Sequence, residues 1–169
     1  MNDRRVSPSA GTFTSAPLRN RLQVQLNAPE NEVWALVGDL ARLPEYSAGL
    51  ERVDVAKKSD GTPAGYVCHF KPYPGTAEGM AHQEVIRWYE VNRGFASSGT
   101  EGNPFGLIDD LNLVTVAQGP GGTLLTWEVY FDAGDVPAMR SSYDNALADI
   151  GSQLVARFGG RLVEVYTEP

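Results

Sequence analysis

From Val136 to Tyr166 the large apolar residues Met139, Tyr143, Leu147, Ile150, Leu154, Phe158, Leu162 and Val165 step by three or four. That spacing draws one apolar stripe down an α-helix, which needs a broad apolar surface to lie against. Asp135 or Val136 can cap its start, and Pro137 suits a first turn, where its missing N–H costs nothing. At ~1.5 Å per residue the helix would run roughly 40 Å, the width of a small domain. Gly159-Gly160 interrupts it at ~1 kcal/mol per glycine against alanine. Because the stripe resumes at Leu162, the pair predicts a kink or a close backbone contact rather than a stop.

The preceding chain supplies strands to receive that helix. Residues Met1 to about Leu18 are rich in Ser, Pro, Thr and Gly without periodicity, which predicts a flexible arm (residues 1–18) ahead of one domain (residues 19–169). Leu22, Val24 and Leu26 alternate with Gln23 and Gln25, the pattern of a strand buried on one face. Pro29 opens a short helix with Glu30 and Glu32 near its positive end, and Gly38-Asp39 begins a second, limited by Pro44. About six strands follow. Tyr66, Cys68 and Phe70 form the inward set of one, leaving His69 outside. Leu125, Trp127, Val129 and Phe131 form the inward set of the last. Two strands remain open: His82, Glu84, Ile86 and Trp88 oppose Gln83, Val85, Arg87 and Tyr89, while Asp110, Asn112, Val114 and Val116 oppose Leu111, Leu113 and Thr115. The loop from Pro72 to Gly79, with its prolines and glycines, is expected to rim a pocket. Strand, two short helices, antiparallel strands and one long helix together predict an α+β fold.

Composition removes several classes of function. A formal charge of −7, from 21 acidic against 14 basic residues, argues against nucleic acid and anionic membranes as partners. No apolar run approaches the ~20 residues of a membrane span. The lone Cys68 cannot form an internal disulfide, and Arg4-Arg5 is not followed by an apolar segment, so a cytoplasmic protein is expected. Two histidines and scattered carboxylates lack metal-type spacing, so no metal site is expected. No Gly-x-Ser-x-Gly element and no glycine-rich phosphate loop occur, which leaves no nucleotide or other cofactor to predict.

Ala28-Pro29-Glu30-Asn31-Glu32-Val33-Trp34 through Asp39, Leu43-Pro44-Glu45-Tyr46, Gly65 to His69, Glu84-Val85-Ile86, and Gly121-Gly122-Thr123 leading to Thr126-Trp127 follow one another in a telling order. Together these segments resemble the helix-grip superfamily of START, polyketide-cyclase and birch-pollen-allergen-like proteins. The resemblance spans about Arg21 to Val165. It implies a curved antiparallel sheet of about seven strands wrapped around the long C-terminal helix, with a cavity between them for an apolar small molecule. It also implies that His82, Glu84, Ile86, Trp88, Asp110, Asn112 and Val114 line that cavity. The arginine or other basic residue that many cyclase-like members carry at the position of Cys68 is absent.

With that facing, Glu84 and Asp110 are the expected catalytic pair, because a carboxyl group in an apolar cavity has a raised pKa and can serve as general acid or base. His82 is a possible proton carrier, Asn112 and Tyr143 would position carbonyl or hydroxyl groups, and Trp88 and Trp127 would wall a ring system. Cyclisation, dehydration or isomerisation of a polyketide-like or other cyclic apolar compound is the first functional expectation. A non-catalytic carrier or sensor and a protein-interaction module are the others.

Overall fold

The order of elements follows the alternation read from the sequence, with one strand added at the C-terminal end. The computed structural model describes residues 6–72 and 79–168. Its strands are β1 (Leu18–Leu26), β2 (Leu50–Lys57), β3 (Pro63–Phe70), β4 (Ala81–Glu90), β5 (Gly94–Gly99), β6 (Leu107–Gly119), β7 (Gly122–Ala133) and β8 (Gly160–Thr167). They form one antiparallel sheet in the order β2-β3-β4-β5-β6-β7-β1-β8. Helix α1 (Glu30–Val37) and a 3₁₀ helix (Leu40–Glu45) follow β1, as the Pro29 and Gly38-Asp39 signals require. Asp39 caps the 3₁₀ helix by accepting a hydrogen bond from the Ala41 N–H at 3.3 Å. The Pro72–Gly79 loop, expected as a pocket rim, falls at residues 73–78 outside the described residues.

The long helix α2 spans Val136–Phe158, not Val136 to Tyr166. Asp135 is its N-cap, accepting from the Ala138 N–H at 3.1 Å, and Pro137 lies in its first turn. Leu147, Ile150 and Leu154 are buried, and Met139, Tyr143 and Phe158 pack against the same core. The expected kink at Gly159-Gly160 is a stop. Both glycines have positive φ, 71° and 113°, and the Gly159 N–H closes the helix on the Val155 carbonyl at 2.8 Å. A Cβ at Gly160 would lie 2.0 Å from the Gln25 carbonyl oxygen, so only glycine lets the chain turn onto β1 and continue as β8. Leu162 and Val165 therefore belong to a strand. Three-residue steps there matched the helical stripe by coincidence, and the eighth strand escaped the expected count of about seven.

One side of the sheet faces α2 and carries the main core, including Leu22, Val24, Val114, Leu125, Trp127, Val129 and Phe131. The other side carries a smaller cluster of Ala96, Leu111 and Leu113, with Ala10, Phe13, Trp88 and Tyr130 packed on it. Residues expected to form an undocked arm thus touch the domain. Phe13 lies on this outer cluster, and Ser15 donates from both N–H and Oγ to the Asp109 carboxylate, at 2.9 and 2.7 Å. Residues 1–5 of that arm lie outside the described residues.

Candidate functional site

The helix-facing side of an antiparallel sheet should be apolar, yet its centre here is polar. His82, Glu84, Ser97, Asp110 and Asn112 are all buried there, beside buried Tyr66. Register brings them together: Tyr66 pairs with Glu84 and Cys68 with His82 across β3–β4, and Ser97 pairs with Asn112 across β5–β6. Both strands left open by periodicity resolve with His82, Glu84 and Ile86, and with Asn112, Val114 and Val116, facing inward.

Glu84 is the hub. Its Oε2 accepts hydrogen bonds from the Tyr66 hydroxyl and from Ser97 Oγ, the latter at 2.6 Å. Its Oε1 accepts from Asn112 Nδ2 at 3.0 Å and lies 3.4 Å from His82 Nε2. Asn112 Oδ1 in turn accepts from Trp127 Nε1 at 3.0 Å. Tyr143 comes from α2, its ring tilted against Phe131 with centroids 5.4 Å apart. Asp110 stands at the edge of the cluster, where the Gly99 N–H donates to its carboxylate at 3.0 Å.

The expected raised pKa holds for only one of the two carboxyl groups. Burial pushes Asp110 up, against the opposing hydrogen bond from Gly99. For Glu84 burial also acts upward, but the contacts with His82, Ser97 and Tyr66 outweigh it and leave the group below its ordinary value. Of these, Ser97 and Tyr66 arrive from β5 and β3, and His82 stands two residues away on β4 itself. Burial first, then the negative charge of Glu84, raises both the Tyr66 and Tyr143 hydroxyls.

Trp88 is the expected site residue that does not arrive. The β4–β5 pairing runs Ile86 to Ser97 and then Trp88 to Ala96, so Arg87 is an extra residue and the facing reverses. Trp88 joins the outer cluster, while Tyr89 turns inward to stack on Trp34 and donate to the Gly38 carbonyl at 2.9 Å. Tyr66, Ser97 and Phe105 were not singled out from the sequence. The alternation of Tyr66, Cys68 and Phe70 carried a signal for the first; Ser97 sits in the six-residue strand β5 beside Ser98, where alternation gives none. Phe105 lies on a loop, edge-on to His82 with centroids 5.3 Å apart, and nothing local marks it.

Gly99 makes the close approach possible. A Cβ there would meet His82 Cε1 at 2.8 Å and Asp110 Oδ1 at 3.0 Å. A surface concavity of about 610 Å³, lined in part by Ser98, Gly99, Thr100, Asp109 and Asp110, leads to this edge of the cluster. Concavities of about 660 and 290 Å³ lie beside the start of α1 and beside Trp34 and Tyr89, and include none of the cluster residues.

An antiparallel sheet closed over a C-terminal helix defines a START-like protein of the helix-grip superfamily. Residues 18–162 match the family model described as polyketide cyclase / dehydrase and lipid transport, and the chain belongs to that family. No curated protein matches the sequence significantly. Among solved structures, the chain is similar to a START superfamily protein from Mycobacterium smegmatis, at TM-score 0.69 and 14% identity, over 84% of this chain and 97% of that one. It is similar to the protein XoxI from Bacillus cereus, at TM-score 0.66 and 15% identity, over 83% and 95% of the two chains. It also resembles ginseng major latex-like protein 151 from Panax ginseng, at TM-score 0.63 and 14% identity, over 83% and 98%. At these identities the likeness concerns the fold. Among the described residues no helix is long and apolar enough to cross a membrane.

Proposed function

We propose that the protein binds an apolar, cyclic small molecule carrying at least one oxygen, between the sheet and α2, and performs acid–base chemistry on it. The observation that carries this reading is the buried polar cluster around Glu84 on a sheet face that is otherwise apolar. Buried polar groups cost free energy unless used or satisfied, so a cluster this size in the core asks for a purpose. The family's description, polyketide cyclase / dehydrase and lipid transport, supports the ligand class.

In this reading Glu84 is a fixed acceptor that orients Tyr66, Ser97 and Asn112. Asn112 and Tyr143 hold the oxygen of the ligand, and Trp127 walls the ring. Asp110 accepts only a backbone N–H among the described residues. With His82 beside it, Asp110 is the group that exchanges a proton with a ligand entering from the concavity it lines. A carrier without chemistry is the second reading, and the lipid-transport part of the family description favours it.

The test is mass spectrometry of small molecules released when the purified protein is denatured, followed by titration of the compound found. Wild type should release an apolar oxygenated compound, and Tyr143→Phe should bind it more weakly. If wild type releases none and binds no member of a panel of polyketides, sterols and fatty acids, the binding reading is wrong. On a bound compound that turns over, Asp110→Asn should slow turnover by ~10²–10⁴ while leaving affinity within a few fold. A compound that binds and never turns over leaves the carrier reading standing.

A further inference from the structure

His82, Glu84 and Asp110 each offer one ligand atom such that the three atoms lie within 4.8 Å of one another, and all three residues are buried. Their sequence spacing shows nothing of this, because β5 and the loop after it separate Asp110 from the other two. We propose that the three side chains form a binding site for one divalent transition-metal ion, of the Zn²⁺, Fe²⁺ or Mn²⁺ kind.

Two observations beyond the cluster itself support a cation. His82 is 5% exposed, and neither of its ring nitrogens has a hydrogen-bond partner among the described residues. Its Nε2 nevertheless points at Glu84 Oε1 from 3.4 Å. Beyond that one contact the buried imidazole has no polar partner among the described residues, which is costly, and a metal ion held between it and the carboxylates would satisfy a ring nitrogen. Secondly, the only cation-forming side chain in contact with Glu84 among the described residues is His82, and no lysine or arginine pairs with Asp110. Tyr66, Ser97 and Asn112 already serve Glu84, but Asp110 has only the Gly99 N–H among the described residues, and a divalent ion would supply the positive charge that this second carboxylate lacks.

The geometry and surroundings suit the ion. Ligands held tetrahedrally at ~2.0–2.1 Å stand roughly 3.4 Å apart, which is the His82–Glu84 separation already present. The three ligand atoms already lie within 4.8 Å of one another, a spread that side-chain rotations can close to that separation. Outer hydrogen bonds from Tyr66, Ser97 and Asn112 to Glu84, and from Gly99 to Asp110, hold the carboxylates as such partners do in metal sites. One nitrogen and two carboxylate oxygens favour borderline ions over soft Cu⁺, and a set of three falls short of the six or more oxygens Ca²⁺ takes. Three protein ligands would leave a fourth position for water or a ligand, and of the three Asp110 lines the 610 Å³ concavity.

The experiment uses the full chain after chelator treatment and dialysis. Co²⁺ is titrated as a spectroscopic probe, Zn²⁺ is measured by competition against it, and Mg²⁺ serves as a control. One equivalent of Co²⁺ should produce visible d–d absorption that Zn²⁺ abolishes and Mg²⁺ does not. His82→Gln and Asp110→Asn should each weaken binding by more than the ~10–100-fold that outer partners alone cost. His69→Ala, which removes the surface imidazole 2.8 Å from Asp54, should change nothing. No d–d band, or binding untouched by Asp110→Asn, or binding lost in His69→Ala, overturns the site. Should His82→Gln fail to fold, Asp110→Asn decides alone. Ligand release and titration on chelator-treated protein are read separately, so failure of the metal site does not count against ligand binding.

Discussion

Replacing Leu154 by alanine, beside the same change at Leu162, tests where α2 ends. Both residues lie on one apolar stripe in the sequence, and a helix running to Tyr166 would bury both against the sheet. In the structure Leu154 is 0% exposed on α2, whereas Leu162 is 46% exposed on the edge strand β8. Deleting a fully buried leucine side chain costs ~2–5 kcal/mol, the transfer of its methyl groups plus the cavity left behind. For a domain of this size each kcal/mol moves the melting temperature by ~2–4 °C, so Leu154→Ala should melt roughly 4–20 °C lower. Leu162 keeps about half of its surface in water and should lose about half of the ~1.5–3 kcal/mol that full burial supplies, or ~1 kcal/mol. Thermal unfolding followed by circular dichroism, with urea unfolding as a check, measures both. Equal losses would mean that the helix continues past Gly159. A Leu154→Ala variant melting within a degree of wild type would mean that the stripe does not face the sheet.

Two further outcomes follow from the site and the outer face. Burial raises the Asp110 carboxyl above its unfolded value, so protonation favours the folded state and ionisation opposes it. In chelator-treated protein, Asp110→Asn should therefore be the more stable form at pH 7–8, with the gap closing as pH falls from the raised folded value towards the ordinary aspartate value of ~3.9; a variant less stable at neutral pH would contradict this. Deleting residues 1–16 should cost ~1–3 kcal/mol, because it strips half-buried Phe13 from Leu111 and Leu113 and removes the Ser15 hydrogen bonds to Asp109. An unchanged urea midpoint would show that these contacts contribute nothing.

Alternation in sequence was informative wherever a strand had one clearly apolar set. Leu125, Trp127, Val129 and Phe131 faced the core as their pattern required. It failed where the backbone slipped by one residue. Arg87 is extra in the β4–β5 pairing, and no local property of the segment announces a bulge that depends on its partner strand, so Trp88 was placed on the wrong face. The helix-facing polar set of β6 was legible only through family resemblance, since its two faces are similarly apolar. That similarity has a physical origin: Leu111 and Leu113 are buried on the outer side under Phe13 and Trp88. The state of Glu84 was out of reach for a different reason. Position on a strand tells which way a carboxyl points, but its pKa is lowered first by His82, two residues away on the same strand, and then by Ser97 and Tyr66 from β5 and β3, at distances that only the folded sheet sets.

Gly99 turns a question about chemistry into one about a single letter of sequence. A Cβ at this place would sit 2.8 Å from the His82 ring and 3.0 Å from the Asp110 carboxylate. A related chain with alanine or anything larger here must push the imidazole and the carboxylate apart or bend the strand away from them. Its interior could still serve as a container, but the two groups could no longer share a proton or an ion. Under the proposed function, sorting relatives by this one position, before any assay, would separate chains that can bring the two groups together from chains that cannot.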